Sequence, residues 1–218
     1  MKKIIVALDV KTEKQALDLT SDLSPWVDIF KVGPILFIKS GQTLVKEIKK
    51  MGKEVFLDLK FHDIPATVQR AVESAAELGV YSLTIHSSGG REMIEAAASV
   101  NNRPKIWAVT VLTSQLTDPQ EVIKRAKLAR ESGADGVIAS PLEIKAIKEA
   151  CGYDFTVVTP GIRPAAGNDD QKRIASASVA VGDGADYIVV GRPIIEAKDP
   201  RAVAKQMSEE IAAASGTI

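Results

Sequence analysis

The apolar run Val55-Phe56-Leu57 breaks into charge at Asp58-Leu59-Lys60-Phe61-His62-Asp63-Ile64-Pro65, and these residue types can move a proton. The β-rich residues before the break argue a strand, whose period of two sets Asp58 and Lys60 side by side on one face. Pro65 fits the first turn of a helix that carries Val68, Val72 and Ala75 at helical spacing. A carboxylate held against an ammonium at a partly buried strand end costs desolvation that exposed charges avoid, so the pair reads as a site. Lys31, Asp58, Lys60 and Asp63 would then form a set of alternating sign. Asp58 keeps Lys60 protonated, and Lys31 compensates two carboxylates that otherwise repel. An ammonium held in this way can serve as a general acid. A Schiff-base lysine fits less well, because the adjacent carboxylate favours the charged amine. A structural ion-pair network is the alternative use of the same residues.

A second constellation closes the chain's last strand pattern, where Ile188-Val189-Val190 runs into Gly191-Arg192-Pro193. Glycine lets backbone N–H groups approach an anion, and Arg192 can add bidentate charge-assisted bonds. Thr159-Pro160-Gly161-Ile162-Arg163 repeats the glycine and arginine one strand earlier. Together they favour a phosphorylated small molecule, with ordinary glycine turns and surface arginines as the alternative. His62 and His86 are the only histidines and lack a regularly spaced second ligand, so no metal site is expected. His86 reads as a hydrogen-bonded structural residue. Thr110 and Thr113 offer hydroxyls that suit a flat polar ring, a weak signal alone.

The elements that must position these groups alternate along the whole chain. Strand-like runs lie at 4–8, 29–32, 55–57, 83–85, 106–111, 136–139, 155–158 and 187–190. Helix-period segments lie between them at 13–22, 43–50, 66–78, 91–100, 119–131, 142–150 and 171–181, with a last one at 202–214. Continuous apolar strands separated by amphipathic helices mean a parallel sheet covered by helices. Leu78-Gly79-Val80, Ser132-Gly133-Ala134-Asp135 and Gly184-Ala185-Asp186 each stop a helix with glycine before a strand. About eight repeats predict an α/β fold, a (β/α)8 TIM barrel occupying residues 1–218 as one domain. A doubly wound sheet is disfavoured because no Gly-rich dinucleotide fingerprint follows the first strand. In a barrel, the strand ends carrying Asp9, Lys31, Asp58, Lys60, His86, Ser140, Arg163 and Arg192 converge on one mouth.

Composition narrows the partners. The 28 basic and 28 acidic side chains cancel, which speaks against nucleic acid or an anionic membrane. Cys151 is the only cysteine, so an intramolecular disulfide is excluded. The apolar stretch after Met1-Lys2-Lys3 is too short for a signal peptide, and no segment reaches membrane-spanning length; a cytoplasmic protein is expected.

The motifs Ala7-Leu8-Asp9, Phe30-Lys31-Val32-Gly33, residues 58–65, Thr159-Pro160-Gly161-Ile162-Arg163 and Val190-Gly191-Arg192-Pro193, in this order, closely resemble the orotidine 5′-phosphate decarboxylase family. The resemblance implies a cofactor-free (β/α)8 homodimer that converts orotidine 5′-phosphate to uridine 5′-phosphate and carbon dioxide in pyrimidine biosynthesis. It implies that Asp9 and Lys31 contact the ribose, that Asp58 faces the substrate carboxylate and that Lys60 protonates the pyrimidine carbon. Asp63 and Thr67 would complete the partner's site, and Thr113 would lie by the pyrimidine. Arg163, Gln171, Gly191 and Arg192 would hold phosphate, with 164–170 as a lid. A sister barrel of the 3-keto-gulonate 6-phosphate decarboxylase type shares the Asp-x-Lys-x-x-Asp pattern but uses magnesium, and carries an acid where this chain has Lys31. A non-catalytic nucleotide-binding barrel would keep Gly191-Arg192 and need no Lys60 beside Asp58.

Overall fold

The computed structural model describes residues 2–112, 118–163 and 175–214. Eight strands, β1 (Ile4–Ala7), β2 (Ile29–Val32), β3 (Glu54–Phe61), β4 (Ser82–His86), β5 (Lys105–Val109), β6 (Gly136–Ile138), β7 (Thr156–Pro160) and β8 (Tyr187–Val190), pair in sequence order as a closed barrel. All pairings are parallel, and closure is made where Ile5 of β1 meets Val189 of β8. Helices α1 (Glu13–Leu23), α2 (Pro34–Lys50), α3 (Pro65–Glu77), α4 (Gly90–Ala98), α5 (Pro119–Glu131), α6 (Ile144–Cys151) and α7 (Ala177–Gly182) form the crossovers, followed by α8 (Arg192–Ile195) and α9 (Pro200–Ala214).

Period-two alternation divides each strand between two cores. Ile4, Val6 and Leu8 join the layer between sheet and helices, whereas Ile5 and Ala7 turn inward with Ile29, Phe56, Trp107, Val158 and Val189. At the amino ends of the strands the Tyr81 and Tyr187 hydroxyls lie 2.7 Å apart, beside the Trp107 ring. The barrel is therefore filled, and its carboxyl-end mouth is what remains to hold a site.

The predicted helix stops are present: Gly79, Gly133 and Gly184 take φ of 64°, 87° and 108°, the left-handed region glycine enters without a Cβ clash. The aspartates that follow two of them stitch neighbouring strands. Asp135 accepts the Ile106 N–H and Asp186 the Val157 N–H, both at 2.7 Å, and Asp28 accepts the Lys2 N–H at 2.9 Å. Each precedes an even-numbered strand and ties it to the odd-numbered segment before it. Arg103 pairs with Asp135, and the buried Lys148 ammonium lies 2.7 Å from Asp186, donating also to the Tyr153 and Phe155 carbonyls.

Several boundaries differ by a few residues from the sequence expectation, and three of the differences are informative. Helix α2 begins at Pro34 rather than 43, because proline sits ready at its first turn, and it is kinked at Gly41 (φ 54°, ψ −141°). That kink, with Ile35 and Ile38 exposed, blurs the helical period over its first half. Strand β5 ends at Val109, and the segment expected at 171–181 is helical over Ala177–Gly182, with 171–174 outside the described residues.

Asp186→Ala would leave the Lys148 ammonium buried with carbonyls but no countercharge. Because the Asp186 side chain is 40% exposed, urea denaturation should show a loss of about 2 kcal/mol, whereas Lys14→Ala, which breaks an exposed i,i+4 pair with Asp18, should cost far less. Equal losses would contradict the stitching role.

Candidate active site

Strands β1, β2 and β3 bring Asp9, Lys31, Asp58 and Lys60 to the mouth as a chain of alternating charge. The Lys31 ammonium lies 3.3 Å from Asp9 Oδ1 and 3.4 Å from Asp58 Oδ2, and the Lys60 ammonium lies 2.8 Å from Asp58 Oδ1. Asp58 is 8% exposed, and its Oδ1 also accepts a hydrogen bond of 2.9 Å from the Thr84 hydroxyl. Burial by itself would raise the Asp58 pKa; the charges of Lys31 and Lys60 and the hydrogen bonds from Lys60 and Thr84 outweigh it and hold the carboxyl below its usual range. The ion is kept because both its oxygens face cations. Lys60, at the end of this chain and about one-third exposed, is the ammonium open to a ligand.

Asp58 and Lys60 meet as the strand period predicts, yet not through a regular strand. Leu57 pairs with Leu83 and Phe61 with Ile85, so four steps along β3 oppose two along β4. The excess is taken up at Lys60, whose φ of 52° is left-handed. Its N–H donates to Thr84 Oγ1 at 2.9 Å. Period-two reasoning carries no sign of this bulge, and Thr84 reads in sequence only as a strand former.

Asp63 does not join the network of its own chain: exposed at the start of α3, its Oδ1 accepts the Ile64 N–H at 2.7 Å. Thr67 is exposed on the same turn, beside Ile64 at 66% exposure. Among the described residues the His86 side chain makes no hydrogen bond, contrary to expectation; its ring faces His62 with centroids 5.5 Å apart. Burial, then the charges of His62, Lys60 and Arg125, lower its pKa and favour the neutral ring.

Gly191 closes the mouth on the other side, where an added Cβ would stand 3.7 Å from Asp9 Oδ2, and Arg192 extends from it into solvent. Gly161 takes φ 80° after β7, and Ile162 bridges Ala175, with Arg163 N–H donating to the Ala175 carbonyl at 3.3 Å. Thr113, Gln171 and the expected lid at 164–170 lie outside the described residues. Among the described residues no helix is long and apolar enough to cross a membrane.

A closed parallel barrel with an acid–lysine chain at its carboxyl ends defines an enzyme of the (β/α)8 class. Within that class the chain belongs to the Orotidine 5'-phosphate decarboxylase / HUMPS family, whose model matches residues 2–207. It is 50% identical to an orotidine 5'-phosphate decarboxylase of Trichlorobacter lovleyi, over 97% of this chain and 95% of that protein. Among solved structures, the orotidine 5'-phosphate decarboxylase from Lactobacillus acidophilus superposes with a TM-score of 0.81 at 39% identity, covering 97% of this chain and 99% of that one. The enzyme of that name from Pyrococcus horikoshii OT3 gives 0.82 at 28% identity, covering 95% and 98%.

Because the Asp58 pKa is depressed on folding, its contribution to stability is complete above the ordinary carboxylate value of 3.8 and is lost as pH falls through the folded value. Asp58→Asn should therefore unfold more easily than the native chain at neutral pH, with the gap closing in acid. A gap independent of pH in denaturant titrations would contradict the assigned ionisation.

Proposed function

We propose that this protein decarboxylates orotidine 5′-phosphate to uridine 5′-phosphate and carbon dioxide, the last step of de novo pyrimidine nucleotide synthesis, with Lys60 delivering the proton to pyrimidine C6. The observation that carries the reading is the Lys60 ammonium at the open end of the Asp9–Lys31–Asp58–Lys60 chain, 2.8 Å from a buried carboxylate. The relatives that bear the name orotidine 5'-phosphate decarboxylase support the choice of substrate.

Loss of carbon dioxide leaves a carbanion in the ring plane, where π-delocalisation cannot spread its charge. Fixed charge must stabilise it instead, and an ammonium preorganised by Asp58 needs little reorganisation as the negative charge develops. Lys60 then quenches the carbanion as general acid. Asp58 faces the departing carboxylate and orders both lysines. Asp9 and Lys31 hold the ribose, and Thr113 lies by the pyrimidine. Arg192 and Gly191, with Arg163 and Gln171, grip the phosphate, so binding energy from a remote group orients the ring. No cofactor takes part, and the reaction is placed in the cytoplasm. The sister chemistry with magnesium is disfavoured because the Lys31 ammonium stands between Asp9 and Asp58, where a divalent cation would need the oxygen ligands.

The site is shared across a homodimer: Asp63 and Thr67 of one protomer complete the site of its partner. Their exposure on one turn of α3, around the exposed Ile64 and apart from their own network, supports this arrangement.

Two experiments test the reading. An ultraviolet assay of orotidine 5′-phosphate with chelator present should show full turnover, and Lys60→Ala should lose about three orders of magnitude while still binding uridine 5′-phosphate. A magnesium requirement would favour the sister chemistry, and near-normal turnover by the variant would remove Lys60 from its role. Secondly, inactive Lys60→Ala and Asp63→Ala homodimers, unfolded and refolded together, should complement. One site of each mixed dimer carries both lesions and the other is intact. With half the dimers mixed, roughly a quarter of native activity should return under two-fold symmetry. No return, with mixed dimers verified by mass spectrometry, would refute the shared site.

A further inference from the structure

We propose that Thr84 is a positioning residue for the reaction, its single hydroxyl fixing the proton donor Lys60 against Asp58. This inference rests on the roles given to those two residues above. Thr84 belongs to the inward row of β4 and is wholly buried. It stands where β3 carries its excess residues, so the regular ladder bonds there are missing. Its Oγ1 accepts the Lys60 N–H at 2.9 Å and donates to Asp58 Oδ1 at 2.9 Å.

The direction of both bonds is forced. A backbone N–H can only donate and an ionised carboxylate can only accept, so the hydroxyl has one arrangement that serves both. The Lys60 ammonium returns to the same Asp58 oxygen at 2.8 Å. Main chain, hydroxyl, carboxylate and ammonium thus form a closed ring. Opening it at Thr84 leaves a partly buried N–H of the left-handed Lys60 backbone without its acceptor, and removes one donor from the carboxylate. Among the described residues, the charged groups facing Asp58 would then be Lys31 and Lys60, with Asp9 beyond Lys31 and His86 beyond Lys60.

Thr84→Val keeps the shape and removes the hydroxyl; Thr84→Ser keeps the hydroxyl and removes a methyl. The valine variant should lose about 100-fold in kcat, with the affinity for uridine 5′-phosphate changed by less than about 3-fold, and serine should restore most of the loss. The acid limb of the kcat profile should move to higher pH in the valine variant, since a carboxylate that loses a donor protonates more readily. Native-like kcat in Thr84→Val, or equal damage from valine and serine, would overturn the proposal by showing that packing alone matters. Should the valine variant fail to fold, Thr84→Cys, with a weak donor in similar space, should lose at least about 10-fold. Should the native protein itself prove inactive on orotidine 5′-phosphate, the reading of function fails separately. The ring is then tested by ¹³C NMR titration of Asp58, which should shift upward in Thr84→Val or Thr84→Cys; an unmoved titration overturns it.

Discussion

The structure depends on keeping one buried carboxylate charged. Asp58 sits among barrel side chains where burial favours its neutral form, and an isolated ion there would protonate. Two ammonium groups and a hydroxyl, drawn from β2, β3 and β4, prevent this. The dependence is mutual. Asp58 holds the Lys60 ammonium in one place, so what the barrel achieves is an ammonium fixed beside a fixed negative charge. Lys60 shares β3 with Asp58, and the register of β3 with its neighbours β2 and β4 brings Lys31 and Thr84 to the same carboxylate.

The rest of the fold serves that register. Because a parallel strand shifted by one residue turns its other face inward, the alternation of inner and outer cores locks each strand. The aspartate stitches at Asp28, Asp135 and Asp186 tie neighbouring strands at their amino ends, away from the mouth. With the far end so fixed, the mouth can carry a bulge, a left-handed lysine and an exposed arginine without loss of architecture. Stability and chemistry are thereby divided between the two ends of the barrel.

The architecture was legible in the sequence because it rests on periodicity. Apolar strands, amphipathic helices and glycine stops appear where expected, and Asp58 beside Lys60 followed from the period of two. Features set by tertiary contacts were not legible. Nothing local marks Lys60 for a positive φ; the bulge arises where two strands of unequal count are matched. Thr84 was hidden because a threonine in a strand needs no explanation. Asp135 and Asp186 were noticed as neighbours of helix stops, but their bonds reach across to other strands. His86 was expected to be hydrogen-bonded through its side chain and instead faces His62, a contact made only once β4 and the loop after β3 are adjacent. The separation of Asp63 from its own network is equally a matter of three dimensions, since in sequence it stands three residues from Lys60.

The proposed reaction turns on one step, the exchange of a proton between the Lys60 ammonium and pyrimidine C6. Microscopic reversibility offers the most direct test, because a donor that quenches a C6 carbanion must also abstract the C6 hydrogen of the product as a neutral amine. Proton NMR of uridine 5′-phosphate incubated with the protein in D2O should show the C6 signal decaying while C5 remains, and the decay should be absent with Lys60→Ala. Equal exchange by the native and variant proteins, or none with native protein that turns over orotidine 5′-phosphate and binds the product, would contradict it.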